Sequence, residues 1–406
     1  MTETSMEAAE RPGSVWSLPV FWKLFVPSVG VGLEQQILNL ALPLLVFQAL
    51  SSEIEMNIVR AIGFVPNMLL AFVIGALVDR ANKKVWLVAV LSAQVVSLAV
   101  LAMIFGSDAV HGYLLYPVVF VLSTATYSYY NAQTVALKMA IPANKLGSAV
   151  SVFASIGQAF QLFGPALAGI LLMLPTPSAS LWVAAVVALA SLAAVSTLKL
   201  PHKPAAPERL GKRIADGWHA LRANRPLWLM TLVVIGTNAA DGMFSITVLQ
   251  KAQALGFTGA EIGLMFSVAG AAGMVGSLAA PSFRQAVGHG TLACATALAV
   301  AGCYAAPIFT DSPLGLTAIL CVEAFSTTIF VVLIWTLRQE TTPVEVIGRV
   351  AGITGSLFKV GMPFAIVGAG FLSEYSGSPA VFAACAILNL AMFGVLLGSP
   401  TLRRLR

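Results

Sequence analysis

Three carboxylic acids interrupt stretches of this sequence that are otherwise almost entirely apolar. Glu34 stands in "VGVGLEQQILNLALPLLV", Asp241 in "VVIGTNAADGMFSITVL" and Glu323 in "LTAILCVEAFSTTIF". An acid near the middle of a bilayer costs at least about 2.5 kcal/mol, so such residues usually face a cavity or a polar partner. There a carboxyl group can carry a proton, attract a cation or pair with a basic residue such as Lys359, which lies in "SLFKVGMPF". We predict that these four residues serve proton coupling or substrate binding, with structural pairing as the alternative.

Amide and aromatic side chains accompany the acids. The predicted members of a substrate cavity are Gln35, Gln36, Asn39, Tyr127, Asn131 and Asn238. Rings with amide groups suit a ligand that is apolar with scattered polar groups. The tyrosines could instead belong to an aromatic belt at the membrane interface. At 100° per helical residue the three polar neighbours of Glu34 cannot all face one site, so part of that segment must serve a helix contact.

The elements that carry these residues are predicted to be membrane helices. The chain is 58% hydrophobic and only 10% charged, whereas about a quarter of an ordinary soluble domain is charged. Runs of 18 or more apolar residues, each long enough to span a bilayer as a helix, recur along it. We predict an all-α polytopic membrane protein with twelve transmembrane helices, at 22–48, 58–78, 85–106, 113–136, 148–173, 178–198, 227–249, 261–280, 289–309, 314–336, 349–372 and 378–398.

The longest hydrophilic interval divides the chain into two halves. We predict an N-terminal tail at 1–21, a six-helix bundle at 22–198, a central loop at 199–226, a second six-helix bundle at 227–398 and a basic tail at 399–406. Within the loop, Glu208 to Asn224 has Leu210, Ile214, Trp218 and Leu221 at helical spacing. This pattern predicts an amphipathic helix along the membrane surface.

The distribution of basic residues predicts the orientation of the chain. Of the 23 Lys and Arg, twenty fall on the side of the N-terminus, two (Arg60 and Lys251) fall on the other side, and Lys359 falls inside a span. Basic residues accumulate on the cytoplasmic side. We therefore expect both termini in the cytoplasm, in a cytoplasmic (inner) membrane of the bacterial type. The net charge of +6 is explained by basic residues that orient the chain in the membrane. Membrane lipid rather than nucleic acid is therefore the expected partner.

The two halves resemble each other when the sequence is shifted by 201 residues. The shift superposes Pro142 on Pro343, Gly147 on Gly348, Ser155 on Ser356, Gly169 on Gly370 and Gly75 on Gly276. Many transporters are built from such internal repeats. The pattern predicts two pseudo-symmetric bundles that can rock about a central site.

The loop after the second predicted span, "GALVDRANKK", closely resembles the loop signature of the major facilitator superfamily. In that family the loop latches the two halves together, and the resemblance assigns this gating role to Gly75, Asp79, Arg80 and Lys84. Asn82 replaces the usual second glycine. Because Asn tolerates left-handed backbone angles, we expect the tight turn to survive the change.

Further segments resemble the efflux branches of the same family. Gly164 and Pro165 are similar to a motif of drug and proton antiporters, where a helix bend is expected, although plain packing is the alternative. "IADGWHALRANRPLWLM" and "LRQETTPVEVIGRVAGITGSL" resemble the branch of enterobactin exporters and macrolide efflux pumps. Span 4 lacks the arginine that many drug antiporters carry there. Proton coupling through that arginine is therefore not expected.

These features predict a secondary active transporter of the major facilitator fold and no enzymatic activity. The resemblance implies proton-coupled efflux of an amphipathic small molecule, a siderophore or a drug. The sequence has no GxxxxGK(S/T) nucleotide loop and no His-Cys cluster, so we expect no cofactor or metal, and a monomer is compatible with the predicted fold. Two alternatives stay open. One is a proton-coupled importer of a siderophore or nutrient with the same fold, and the other is a membrane receptor or regulatory subunit that transports nothing.

Overall fold

The computed structural model describes residues 15–107, 110–176, 178–200, 210–343 and 346–403. Helices make up nearly all of these residues and form twelve spans, as predicted. In order, the spans are Pro19–Gln36 with Ile37–Ala41 and Leu42–Leu50; Glu53–Ile62 with Val65–Leu69 and Ala71–Arg80; Lys83–Phe105; Gly112–Ala140; Ala143–Leu171; Ala179–Ser196; Arg225–Ala254; Gly259–Val287; His289–Ala305 with Ala306–Phe309; Pro313–Thr341; Ile347–Leu357 with Met362–Ser376; and Ser378–Gly398.

Within the described ranges, ten of the helical segments are long and apolar enough to cross a membrane by length and composition. The other two are span 2, which is broken into three short helices, and span 4, which is rich in tyrosine and hydroxyl residues. An even number of spans leaves Val15 and Arg403, the two ends of the described range, on the same side. We call this the terminal side and the opposite side the far side.

Prolines determine where the spans break. Pro43 has no backbone N–H, so the carbonyl of Asn39 loses its usual helical donor. The chain opens there into a π-helical turn, Ile37–Ala41, in which the N–H of Leu42 reaches back five residues to the carbonyl of Ile37. Pro363 likewise begins the second helix of span 11 after a break at 358–361. Lys359, predicted to lie ten residues into a continuous span, lies in this break.

Short backbone contacts between spans 5 and 8 join the two bundles on the far side. A Cβ added to Gly263 would lie 2.5 Å from the carbonyl oxygen of Pro165, and Gly169 packs against the main chain of Gly259 and Gly263. The N–H of Ala166 donates a 2.9 Å hydrogen bond to Oγ of Ser267. Small residues permit this approach, as is usual between membrane helices.

An equivalent contact joins span 2 to span 11. Nδ2 of Asn57 donates a 3.0 Å hydrogen bond to the carbonyl oxygen of Ile366, and Nε2 of Gln250 donates one of the same length to Oδ1 of Asn57. Gly370 packs against Asn57. Gly169 and Gly370, which the 201-residue shift superposes, therefore occupy corresponding places in two contacts between the bundles.

On the terminal side the corresponding region is open. Gly147 and Gly348, another superposed pair, have no heavy atom within 4 Å of an added Cβ. Gly157, about three turns further into span 5, is equally unobstructed. The close contacts between the two bundles thus lie on the far side, while the terminal-side ends of spans 5 and 11 carry exposed glycines.

The amphipathic helix of the central loop extends over Leu210–Ala223. Trp218 and Leu221 pack in an apolar cluster with Val350 and Ile353 of span 11. Asp216 accepts a 3.1 Å hydrogen bond from Nη1 of Arg349 in the same contact. The helix therefore packs on the terminal-side end of span 11, while residues 201–209, 1–14 and 404–406, which include parts of the predicted loop and tails, lie outside the described residues.

The turn between spans 2 and 3 differs from the expectation for Asn82. Its backbone is extended, with φ −65° and ψ 116°, rather than left-handed. The side-chain oxygen of Asn82 accepts hydrogen bonds of 3.0 Å from the N–H of Lys84 and 3.3 Å from that of Val85. Asn82 therefore stands at the position of the usual glycine as the N-cap of span 3, a role for which the Asn side chain is well suited.

Candidate transport cavity

A cavity of about 640 Å³ lies between the two bundles and is lined by spans 1, 4, 5, 7, 8 and 10. The described structure brings five of the predicted coupling and cavity residues to its wall, Gln35, Gln36, Asn39, Asp241 and Glu323, together with Pro165 of the predicted helix bend. These five come from three spans, so residues far apart in sequence share one cavity. The expectation that Gln35, Gln36 and Asn39 cannot all face one site is wrong, because the π-helical turn Ile37–Ala41 departs from 100° per residue and brings Asn39 to the same wall. A volume of this size suits a drug-sized ligand.

The two acids of the cavity belong to the C-terminal bundle. Asp241 and Glu323 lie close enough for their charges to interact. Glu323 is only 7% exposed, and its Oε1 accepts a 2.7 Å hydrogen bond from Oγ1 of Thr327, one turn further along span 10. Two acids in one dehydrated space repel each other when both are ionised, so a proton or a cation there relieves the repulsion.

Arg60 is a site residue that the sequence analysis missed. The count of basic residues placed it on the far side, at the edge of the predicted span 58–78, but it lies two turns into the helix Glu53–Ile62. Its Nη1 donates a 2.7 Å hydrogen bond to Oδ1 of Asn39, and its charge interacts with that of Asp241 across the bundle interface. The sequence carries a signal for this position, because Ser52 followed by Glu55 is a helix-start pattern and Ser52 does accept from the N–H of Glu55.

Glu34 lies behind the cavity wall, inside the N-terminal bundle. It is 2% exposed, and its Oε1 accepts a 2.6 Å hydrogen bond from Oγ1 of Thr126. Nε2 of Gln94 lies 3.4 Å from the same oxygen, and Oε2 has no hydrogen-bond partner among the described residues. Glu34 is therefore separated from Asp241 and Glu323, and a role in proton coupling remains a prediction.

The other predicted residues are divided among smaller cavities. Tyr127 and Lys359 line one of about 340 Å³ together with Arg60. No described acid lies within ion-pair distance of Lys359, and the cation that faces Asp241 is Arg60 instead. Asn238 donates a 2.9 Å hydrogen bond to the carbonyl oxygen of Phe358. Asn131 donates to the carbonyl of Tyr127 on its own helix and does not appear in the wall of these cavities.

Aromatic and amide side chains complete the wall of the central cavity. These are Tyr130, Gln133, Phe153, Phe160, Gln161, Phe244 and Phe266. Gln133 donates to Oγ of Ser28, which also lies 3.2 Å from the hydroxyl of Tyr129. The phenylalanines come from spans 5, 7 and 8 and resemble the apolar residues elsewhere in those spans. Nothing in their local sequence distinguishes them from lipid-facing residues.

The predicted helix bend and gating loop flank the cavity. Span 5 continues through Pro165, whose missing N–H frees the carbonyl of Gln161, and an added Cβ at Gly270 would lie 2.6 Å from that oxygen. Gly164 leaves space for the side chain of Gln36. Their role in bending stays a prediction.

Gly75 has open space around it, Arg80 is exposed and Lys84 is half-buried, while the side chain of Asp79 lies outside the described residues.

Comparison with known proteins defines the class. The sequence profile of the Major Facilitator Superfamily matches residues 24–366, so the chain belongs to this family. It is 27% identical over 407 aligned positions to the multidrug efflux pump Tap of Mycolicibacterium fortuitum, covering 95% of this chain and 97% of the pump.

Solved structures share the fold. A mutant of the nucleoside transporter NupG superposes with a TM-score of 0.77 at 12% identity, covering 93% of this chain and 99% of that one. A bacterial metal transporter superposes with a TM-score of 0.67 at 13% identity, covering 94% of this chain and 99% of that one. The chain is thus a multi-pass membrane protein with a transporter fold. Among the described residues no group of His, Cys, Asp and Glu is arranged to hold a metal ion.

Proposed function

We propose that this protein exports an amphipathic small molecule, a drug or a siderophore, in exchange for protons. The observation that carries the proposal is that Asp241, in the cavity wall, interacts with Glu323 of its own bundle and with Arg60 of the other bundle. The rings and amides around these charges suit an apolar ligand with a cationic group. Similarity over almost the full length to a multidrug efflux pump supports export rather than import.

The carboxylate of Asp241 has three alternative partners in this scheme: Arg60, a proton and a cationic group of the substrate. In the conformation described here Arg60 faces Asp241 across the bundle interface, on a side that is closed. Attraction between the two opposite charges favours this closure. The attraction is lost when a proton or a cation binds the carboxylate of Asp241. Coupling requires that each partner prefer one state of the protein, because a ligand with equal affinity for both states shifts nothing.

The transport cycle follows from this competition. Substrate enters from the terminal side and displaces Arg60 from Asp241, which releases the far-side contact and lets the bundles rock. Protons arriving from the far side then compete with the substrate for Asp241 and Glu323 and favour its release. We place the terminal side in the cytoplasm of a bacterial inner membrane, because basic residues concentrate on that side of the sequence.

Transport in proteoliposomes with an imposed pH gradient tests the proposal. Vesicles with an acidic lumen should accumulate ethidium, whose permanent positive charge prevents passive trapping by pH, and a catechol siderophore should be assayed in parallel. Asp241→Asn and Glu323→Gln should reduce accumulation to the level of protein-free vesicles. Glu374→Gln, an exposed acid at the far-side end of span 11, is the matched control and should transport normally.

Each alternative has its own result in this assay. If an acidic lumen instead drives preloaded solute out of the vesicles, the protein is an importer that moves protons and solute together. Normal accumulation by both acid variants would refute the coupling role of Asp241 and Glu323. The absence of any proton or solute movement in wild-type vesicles would favour a receptor or regulatory subunit.

A further inference from the structure

A third cavity, also of about 340 Å³, lies within the C-terminal bundle and is lined by spans 7, 9, 10, 11 and 12; we call it the side pocket. Asp241 belongs to the walls of both the side pocket and the central cavity, so the two spaces adjoin. Trp335, 55% exposed, marks the open end, whereas Thr296 and Asn389 of spans 9 and 12 are buried at the inner end. The remaining wall combines aliphatic and aromatic side chains with a smaller polar set, Thr237, Asn238, Thr327, Arg338 and Lys359. The apolar part of this wall admits an apolar group of the ligand.

Asn389 is the polar group at the inner end whose hydrogen bonds are incomplete. It is fully buried, and its Nδ2 donates a 2.7 Å hydrogen bond to the carbonyl oxygen of Ala297. This bond fixes the orientation of the amide, because the opposite orientation would set two oxygens against each other. Oδ1 of Asn389 has no partner among the described residues. A buried acceptor left without a donor is unfavourable, so the site is suited to a ligand that brings a donor.

We propose that the side pocket binds a flat aromatic group that carries one O–H or N–H donor, with Oδ1 of Asn389 accepting the hydrogen bond. The aromatic part packs against Phe330 and Trp335, and the rest of the molecule extends past Asp241 into the central cavity. The substrate is then an elongated molecule with an aromatic donor at one end and a cationic or polar group at the other. That the occupant is the transported molecule rests on the proposed function, whereas binding in the pocket does not.

Binding of 2-naphthol to the purified full-length protein in lipid nanodiscs tests the assignment. Radiolabelled 2-naphthol is measured by scintillation proximity, and empty nanodiscs give the amount that dissolves in lipid. 2-Methoxynaphthalene has the same rings without the O–H donor. It should bind the wild-type protein about tenfold more weakly, the loss expected for one buried hydrogen bond. Asn389→Leu, which removes the acceptor at similar volume, should abolish the difference between the two compounds.

A glycine in the wall allows the pocket to be blocked without disturbing Asn389. Gly355 lines the side pocket, and a Cβ added to it has no heavy atom within 4 Å. Gly355→Phe therefore places a ring in the pocket and should abolish saturable binding of 2-naphthol. Gly352, on the same helix, is equally unobstructed but lies outside the pocket wall. Gly352→Phe is the matched control and should bind normally.

The outcomes separate this proposal from the transport proposal. Unchanged 2-naphthol binding in Gly355→Phe, or no saturable binding by the wild type, would overturn the side-pocket assignment. Equal affinity of the wild type for the two naphthalene compounds would overturn the role of Asn389. If 2-naphthol binds as expected but proteoliposomes transport nothing, the transport proposal fails and the binding site stands.

Discussion

Nη1 of Arg60 lies 2.7 Å from Oδ1 of Asn39, in the π-helical turn that Pro43 opens in span 1. Nε2 of Gln35 donates to the same oxygen at 3.1 Å. Two donors thus converge on one amide oxygen and hold the guanidinium beside the bundle interface, where Asp241 approaches from the other bundle. The irregular turn in span 1 and the buried cation in span 2 are therefore parts of one arrangement.

Arg60→Gln should increase the population that is open toward the far side. The variant keeps a donor for Asn39 but loses the charge that attracts Asp241. Ser51 and Tyr375 are exposed near the far-side ends of spans 1 and 11 and can be replaced by cysteines that carry spin labels. Double electron–electron resonance then measures the opening as a longer distance between the two labels. The four native cysteines are replaced beforehand. A distance distribution identical to that of the parent protein would contradict the latch role of Arg60.

Lys251→Gln is the matched control for Arg60→Gln. Lys251 is also a far-side cation, but it pairs at 2.9 Å with Asp311 within the C-terminal bundle. Its removal leaves the contact between the bundles unchanged. The label distances should therefore stay at the values of the parent protein.

Gly263→Ala should prevent full closure of the far side. The new methyl group would lie 2.5 Å from the carbonyl oxygen of Pro165, and neither backbone can yield without moving a helix. Gly157→Ala, placed in open space on span 5, supplies the same chemical change without a clash. The label pair at Ser51 and Tyr375 should show longer distances for the first variant alone. Closure of Gly263→Ala to the wild-type distance would show that the helices have room to adjust.

Thr126→Val should destabilise the N-terminal bundle. The substitution keeps the volume but removes the donor of the 2.6 Å hydrogen bond to Glu34, which is buried. We expect a loss of about 1–3 kcal/mol in the free energy of unfolding, because a buried acceptor loses its partner. Unfolding in mixed detergent measures the change. Thr134→Val is the control, since Thr134 is exposed and bonds only to its own helix.

Glu34→Gln separates proton coupling from structure at that position. The amide oxygen can still accept from Thr126, so folding and substrate binding should persist. If Glu34 carries a proton during transport, accumulation driven by a pH gradient should fall. The proteoliposome assay described above measures it. Accumulation equal to that of the wild type would leave Glu34 with a structural role in the N-terminal bundle.

The spans and the acids of the cavity could be predicted because burial in a bilayer restricts composition so strongly. Asp241 and Glu323 stand out against apolar surroundings, and both reach the central cavity. Arg60 was missed because it lies at the edge of the predicted span 58–78 and was counted with the far-side charges, whereas the helix begins earlier, at Glu53 after its Ser52 cap. Hydropathy alone therefore places polar residues near a span end in the loop rather than in the site.

The direction in which a buried acid points could not be predicted. Glu34 and Gln35 are neighbours in sequence, yet Glu34 faces Thr126 inside the bundle and Gln35 faces the cavity. Which face of a helix meets the other bundle depends on packing between spans that the pattern of one span does not determine. The repeat did carry such information, since the superposed pair Gly169 and Gly370 marks the two far-side contacts.

The contact between spans 5 and 8 consists largely of main chain against glycine. Such a surface separates without breaking ion pairs and without reorganising long side chains. It also has no chemical preference for what occupies the cavity behind it. Opening and closing of this contact therefore depend on how the two bundles fit together and on the charges between them, rather than on a direct contact with the solute. The same contact can then serve solutes of different structure.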